Sequence, residues 1–89
     1  MAELQVERKG NSYILSVDGQ KAGHADFTVK DGTRVFDHTV IEQSFRGQGL
    51  SKPLIKAALE QTLADQVPFT ATCSAVVKFI EENPEFRPS

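Results

Sequence analysis

Ser44-Phe45-Arg46-Gly47-Gln48-Gly49-Leu50-Ser51-Lys52-Pro53 joins two halves of the chain that obey different periodicities. Before it, apolar residues alternate. Leu4 and Val6 interleave with Glu3, Gln5 and Glu7, and Gly10-Asn11 marks a turn. Tyr13, Leu15 and Val17 follow, and Asp18-Gly19 is a hairpin signal. Gly23, Ala25, Phe27 and Val29 share the next face, which ends at a second such turn, Asp31-Gly32. Arg34 to Ile41 is a fourth run, with Phe36, His38 and Val40 on one side and Val35, Thr39 and Ile41 on the other. Period-two spacing over four consecutive runs predicts an antiparallel meander.

After the stretch the period lengthens. Leu50, Leu54, Ile55, Ala58, Leu59 and Thr62/Leu63 recur at helical spacing, with Lys52, Lys56, Glu60, Gln61 and Asp65 mainly on the other faces. Pro53 is compatible with a helix only in its first turn, where an N–H has no partner to lose, so it places the helix start near Gly49–Ser51. Pro68 precedes a short strand from Phe69 to about Thr72. Ser74 is a candidate cap for a second helix that buries Val76, Phe79 and Ile80 and ends at Asn83-Pro84. The order is β-β-β-β-α-β-α, an α+β layered domain over residues 1–89: a mostly antiparallel twisted sheet with helices packed on it. A helical crossover makes the fourth and fifth strands parallel.

The chain has 89 residues, which predicts one domain, and its formal net charge is −2. That balance offers no global field for nucleic acid. No apolar run approaches the ~18 to 20 residues of a membrane span. Met1 to Arg8 lacks a basic flank followed by an apolar core, so no signal peptide is predicted, and a cytoplasmic location is expected by default. A single cysteine, Cys73, excludes an intramolecular disulfide and a cysteine metal cluster, and no metal is expected.

The glycines of the quoted stretch let the backbone turn with positive φ and approach a ligand without a Cβ in the way. Unpaired amides at a helix start converge on one point, where the helix dipole favours negative charge. Arg46 adds a planar cation that suits phosphate oxygens. Two readings fit: an anion cradle, or a strand-to-helix turn whose glycines serve geometry alone. The spacing is neither a Walker loop nor a dinucleotide fingerprint. Cys73, just before the second helix, is either a small buried apolar group or a thiol activated by the helix dipole. His38 is either a satisfied half-buried residue or a general base. His24 falls opposite the Gly23/Ala25/Phe27 face and is expected to be exposed.

Arg46-Gly47-Gln48-Gly49-Leu50-Ser51 resembles the coenzyme A-binding segment of the GNAT acetyltransferase superfamily, Gln/Arg-x-x-Gly-x-Gly/Ala, which follows a fourth strand and opens a helix. Asp37-His38-Thr39-Val40, Phe45 to Gly49, and Cys73 to Val77 with Asn83-Pro84-Glu85-Phe86 are similar to a small GNAT-like family with a cysteine before its last helix. The resemblance runs from about Gly23 to Phe86. Ser51 stands where the pattern has Gly or Ala, and Pro53 where the family usually has a straight or flexible side chain.

The resemblance implies a GNAT-like fold with splayed fourth and fifth strands, and acetyl-CoA as cosubstrate. Phe45, Arg46, Gly47, Gln48, Gly49, Leu50 and Ser51 would hold the pyrophosphate. Val40, Ile41 and Glu42 would bind the pantetheine amides, and Asn83 would also contact the cofactor. Superfamily members often use a tyrosine after the fifth strand as acid. The one tyrosine here is Tyr13, in an early strand, which leaves Cys73 as acid or nucleophile and His38 as base. The implied function is N-acetyl transfer from acetyl-CoA to an amine. Only Gly10-Asn11 separates the first two strands, where the superfamily usually has helices that wall the acceptor site. That open side suggests a large acceptor such as a protein, or a partner subunit, although a monomer is also compatible. The rival reading is a non-catalytic acyl-CoA-binding or interaction module on the same fold.

Overall fold

The computed structural model describes residues 3–86. The ends of the expected domain, and the first two residues of the segment read as lacking a signal peptide, lie outside them. Strands β1 (Leu4–Lys9), β2 (Ser12–Val17), β3 (Gln20–Lys30) and β4 (Thr33–Ile41) form the meander. A 3₁₀ turn (Gln43–Phe45) leads to helix α1 (Ser51–Ala64), then β5 (Phe69–Ala71), α2 (Ser74–Glu82) and a final 3₁₀ turn (Pro84–Phe86). The sheet order is β1-β2-β3-β4-β5, antiparallel up to β4, with β5 parallel to β4. The predicted class and order hold.

Asp18-Gly19 and Asp31-Gly32 turn the second and third hairpins, all four residues with positive φ. Tyr13, Leu15, Ala25, Phe27 and Phe36 project from one sheet face into a single apolar cluster. Leu54, Ile55, Ala58 and Leu59 of α1 and Val76, Phe79 and Ile80 of α2 meet them there. Each fully buried large side chain contributes on the order of 1.5–3 kcal/mol. Pro53 falls in the first turn of α1, where the first backbone bond to a flanking residue runs from the Leu54 amide to the Leu50 carbonyl. The proline therefore removes no helix bond.

Two bulges re-aim side chains that strict alternation had assigned. The β2–β3 register passes from Leu15↔Gly23 to Ser16↔Lys21, so Ala22 is the extra residue, and it is fully buried. The β3–β4 register passes from Phe27↔Phe36 to Asp26↔His38, which makes Asp37 the extra residue. Phe36, His38 and Val40 therefore do not share a side. Thr39 and Ile41, paired with Ala25 and Gly23, join Phe36 on the helix-covered face, while His38 and Val40 join Asp26 and His24 on the other. Val29, on the same strand face as the buried Ala25 and Phe27, is 54% exposed, near the β3–β4 turn. Leu63 is likewise exposed, and Thr62 takes the buried position.

A buried cation completes the core. Arg34 is only 6% exposed. Its Nη1 donates to the Tyr13 hydroxyl at 2.8 Å and to Thr62 Oγ1 at 3.2 Å, and its Nη2 meets Asp65 Oδ2 at 3.3 Å. The guanidinium lies 5.1 Å from the centre of the Phe27 ring. Charge, hydrogen bonds and an aromatic face together make its burial tolerable.

Candidate functional site

β5 is short. Its last ladder pair is Phe36↔Ala71, after which the amides of Thr72 and Cys73 both donate to the Phe36 carbonyl, at 3.0 and 3.1 Å. β4 runs on to Ile41 without a partner on that side. The Glu42 amide bonds to the Ala22 carbonyl at 2.7 Å, so Glu42 faces β3. By strand alternation Val40 faces β3 too, and the main-chain groups of Thr39 and Ile41 line the free edge. Of Val40, Ile41 and Glu42, only Ile41 thus offers its own amide at that edge.

The chain then turns through Gly47 (φ 86°) and Gly49 (φ 69°), both in the left-handed region. Arg46 Nε donates to the Ile41 carbonyl at 3.2 Å, which ties the guanidinium to the end of the free edge and leaves its other nitrogens to solvent. Among the described residues, no hydrogen bond to another element uses the amides of Gly47, Gln48, Gly49, Leu50, Ser51 or Lys52. Those of Ser51 and Lys52 are orphan donors of the helix start, those of Gly47 to Gly49 belong to the turn before its N-cap, Leu50, and residues 46–49 are exposed. Leu50 does not point outward; it is 9% exposed and anchors the turn in the core. Phe45 packs on the edge of the same cluster.

Cys73 lies at the opening of the splay. It occupies the N-cap of α2, the position expected for Ser74, which is instead the first helical residue. Its thiol approaches Thr39 Oγ1 at 3.6 Å, across the gap between the strands. Partial burial raises the thiol pKa, but the Thr39 hydroxyl and the amides of Val76, Ala75 and Thr39 favour the thiolate more. The net effect holds the thiol below its ordinary value. Next to it, α1 and α2 enclose a trough. An inner hollow of about 160 Å³ is lined by Ser51, Lys52, Ile55, Ala75, Lys78, Phe79 and Glu82. An outer one of about 530 Å³ adds Pro53, Lys56 and Asn83. Asn83 Nδ2 donates to the Phe79 carbonyl at 2.9 Å, which orients the amide and leaves Oδ1 and one N–H without a partner among the described residues.

His38 does not join this group. It projects from the face of the sheet opposite Thr39 and the thiol. There it neighbours His24, ring centres 6.3 Å apart. His24 is half-buried rather than exposed, with Nδ1 2.8 Å from Asp26 Oδ1, which also accepts from Ser12 Oγ at 2.6 Å. Desolvation raises the Asp26 pKa, but the Ser12 and His24 hydrogen bonds lower it further, for a net fall. Sequence reasoning missed this network because Ser12 on β2 and His38 on β4 are each 12 to 14 residues from His24 and Asp26 on β3, and the bulge at Asp37 decides which face His38 takes. It also missed the Thr39 contact with the thiol, for the same reason. No group of three or more potential metal ligands occurs among the described residues.

The arrangement is a run of unpaired amides at a helix start that continues into a free strand edge and ends at the Cys73 thiol. Comparisons with known proteins agree with its ancestry. Residues 12–88 match the family model for GCN5-related N-acetyl-transferase. Protein NATD1 of chicken is 36% identical over 84 residues, 92% of this chain and 76% of that protein. Bovine protein NATD1 is 38% identical over 55 residues, covering 60% of this chain and 49% of its own length, so the match spans about half of that relative. A GCN5-like protein of Staphylococcus aureus, solved by solution NMR, superposes with a TM-score of 0.69 over 97% of this chain and 86% of its own at 22% identity, a likeness of fold. The chain belongs to the GCN5-related N-acetyltransferase family.

Proposed function

We propose that the domain binds acetyl-CoA across the helix mouth and transfers the acetyl group, through Cys73, to an amine. The observation that carries this reading is the continuity from the unpaired amides of residues 47–52, past Arg46 and the Ile41 edge, to the Cys73 thiol. The pyrophosphate would lie against the amides and Arg46, where dipole and cation favour it. The pantetheine amides would pair with the free edge at Thr39 and Ile41 as an added strand does. The Cys73 thiolate then attacks the thioester carbonyl carbon. A new C–S bond forms, the bond to coenzyme A sulfur breaks, and that sulfur leaves as a thiolate that takes up a proton. In the second step a neutral amine attacks the acetyl-cysteine, loses its proton, and releases Cys73 as thiolate. A thiol held below its ordinary pKa favours the thiolate that this attack requires.

His38 can act only on an acceptor that arrives over the opposite face. The short Gly10-Asn11 turn and the half-buried residues Ser12, Ile14 and His24 leave that face uncovered by any helix, which supports a macromolecular amine acceptor. A cytoplasmic setting, with its reduced thiols, suits this chemistry. The test is intact-mass spectrometry after incubation with acetyl-CoA, with calorimetry in parallel. An acetyl adduct that is absent in Cys73→Ala, with binding retained, is expected. Binding without an adduct would exclude the acetyl-cysteine, binding without transfer to any amine would leave a non-catalytic acyl-CoA-binding module, and no binding would overturn the assignment.

A further inference from the structure

β1 is the longer of the sheet's two outer strands, with six residues against three in β5, and among the described residues it pairs with β2 alone. The Glu3 carbonyl accepts from the Asp18 amide at 2.9 Å, which fixes the alternation along the strand. Glu3, Gln5, Glu7 and Lys9 direct their main chain to β2, so the N–H and C=O groups of Leu4, Val6 and Arg8 line the open side. Such a row is a template for another strand. Leu4, 43% exposed, adds an apolar side chain at the same edge.

The charges of this edge select the strand that fits it. Charged residues on an outer strand ordinarily keep other copies away, because most registers oppose like charges. For an antiparallel second copy of β1, the outward groups of Leu4, Val6 and Arg8 must meet their own kind, which leaves three registers with most of the strand overlapped. Centred on Gln5, the pairing sets Glu3 against Glu7. Centred on Glu7, it sets that carboxylate against itself. Centred on Val6, it sets Glu3 against Lys9, Gln5 against Glu7 and Leu4 against Arg8, and no like charges meet. In that register the outward residues exchange all their main-chain hydrogen bonds, and Glu3 and Lys9 fall at the closely spaced, non-hydrogen-bonded positions. Neither Glu3 nor Lys9 forms an ion pair among the described residues, whose ion pairs are Arg8–Asp65, His24–Asp26 and Arg34–Asp65.

We propose that β1 is a homodimerisation edge, on which two copies of the chain pair antiparallel about Val6. Glu3 of each copy meets the partner's Lys9, and Leu4 is covered by the aliphatic stem of the partner's Arg8. The two-fold axis stands perpendicular to the sheet, so the helices of both copies lie on one side. Two five-stranded sheets become one, and the faces uncovered by helices run on as a single surface. Strands this short bury less than the ~800 Å² per partner of a standard interface, so the dimer is weak and reversible.

Sedimentation equilibrium of the full chain at low ionic strength, over a series of concentrations, tests the proposal. The unaltered protein should show a monomer–dimer equilibrium. By symmetry, Glu3→Lys or Lys9→Glu alone turns both ion pairs into repulsions and should weaken the dimer by roughly tenfold. The double variant Glu3→Lys/Lys9→Glu should restore it to within roughly threefold of the unaltered protein. Both side chains are exposed, so the fold of each variant, checked by circular dichroism, should be kept. A monomer at every concentration overturns the proposal. So does a dimer that either single reversal leaves unchanged, or one that the double reversal fails to restore, since it then assembles through another surface or register. The measurement contains no coenzyme A, so its outcome is independent of the function proposed above.

Discussion

Gly23→Ala tests how the site is held at its strand edge. A Cβ at position 23 would lie 2.5 Å from the Val40 carbonyl oxygen, 2.8 Å from Ile41 Cδ1 and 3.2 Å from Ile41 Cα. Two of those atoms are main chain, so no rotamer change relieves them. β3 and β4 must part where β4 prepares its free edge. Overpacking of this kind costs about 1–3 kcal/mol. Loss of one strand-to-strand hydrogen bond adds about 1 kcal/mol, for a total of roughly 2–4 kcal/mol. In a domain of this size that lowers Tm by roughly 10–25 °C. Thermal unfolding followed by circular dichroism reads the shift. Ile41→Val in the same background removes the Cδ1 contact but not the carbonyl clash, so it should restore a minor part of the loss. Coenzyme A binding, measured well below the variant's Tm, should weaken as the Ile41 amide moves. A Tm within about 2 °C of the parent protein would refute the claim that the glycine sets the approach of the two strands.

Other perturbations probe separate parts of the account. Arg34→Met keeps the aliphatic stem but removes the donors to Tyr13 and Thr62, and should destabilise by about 1.5–3 kcal/mol in urea unfolding; an unchanged midpoint would show that Tyr13 and Thr62 satisfy each other at 3.3 Å without it. Thr39→Val removes a hydroxyl that favours the Cys73 thiolate, so the midpoint of the pH profile for Cys73 alkylation should move upward, and a downward move would contradict the geometry. Asp26 has a pKa below its ordinary value when folded, so its contribution to stability is present above the unfolded carboxylate value and is lost as pH falls through the folded one. The stability gap between the parent protein and Asp26→Asn, from urea midpoints, should therefore shrink on acidification below that range. A gap that widens would reverse the sign.

What the sequence made legible follows from range. The hairpins, the helix start at Pro53 and the strand-to-helix turn rest on neighbours a few residues apart, and all appear as the periodicities demand. The faces of β4 did not, because one extra residue at Asp37 reverses every side chain beyond it and nothing in the alternation of Val35 to Ile41 marks the bulge. That single slip moved His38 away from Cys73 and brought Thr39 to it. Arg34 reads as the polar start of a strand, and its burial depends on Tyr13, Thr62 and Asp65, 21 to 31 residues away. The network of Ser12, His24 and Asp26 was hidden for the same reason. At the strand-to-helix turn, sequence located the glycines and Arg46 just before the helix, while the tie from Arg46 to Ile41 required the folded chain.

The central claim is that one ligand spans the helix mouth, the free edge of β4 and the Cys73 thiol. Titration of acetyl-CoA into the isotopically labelled protein, followed through backbone amide resonances, tests it most directly. The account predicts the largest shifts at Gly47 to Lys52, with further shifts at Thr39, Ile41 and Cys73 and little change at Ser12, His24 and Asp26 on the bare face. Shifts confined to that bare face, or none at millimolar ligand, would contradict it.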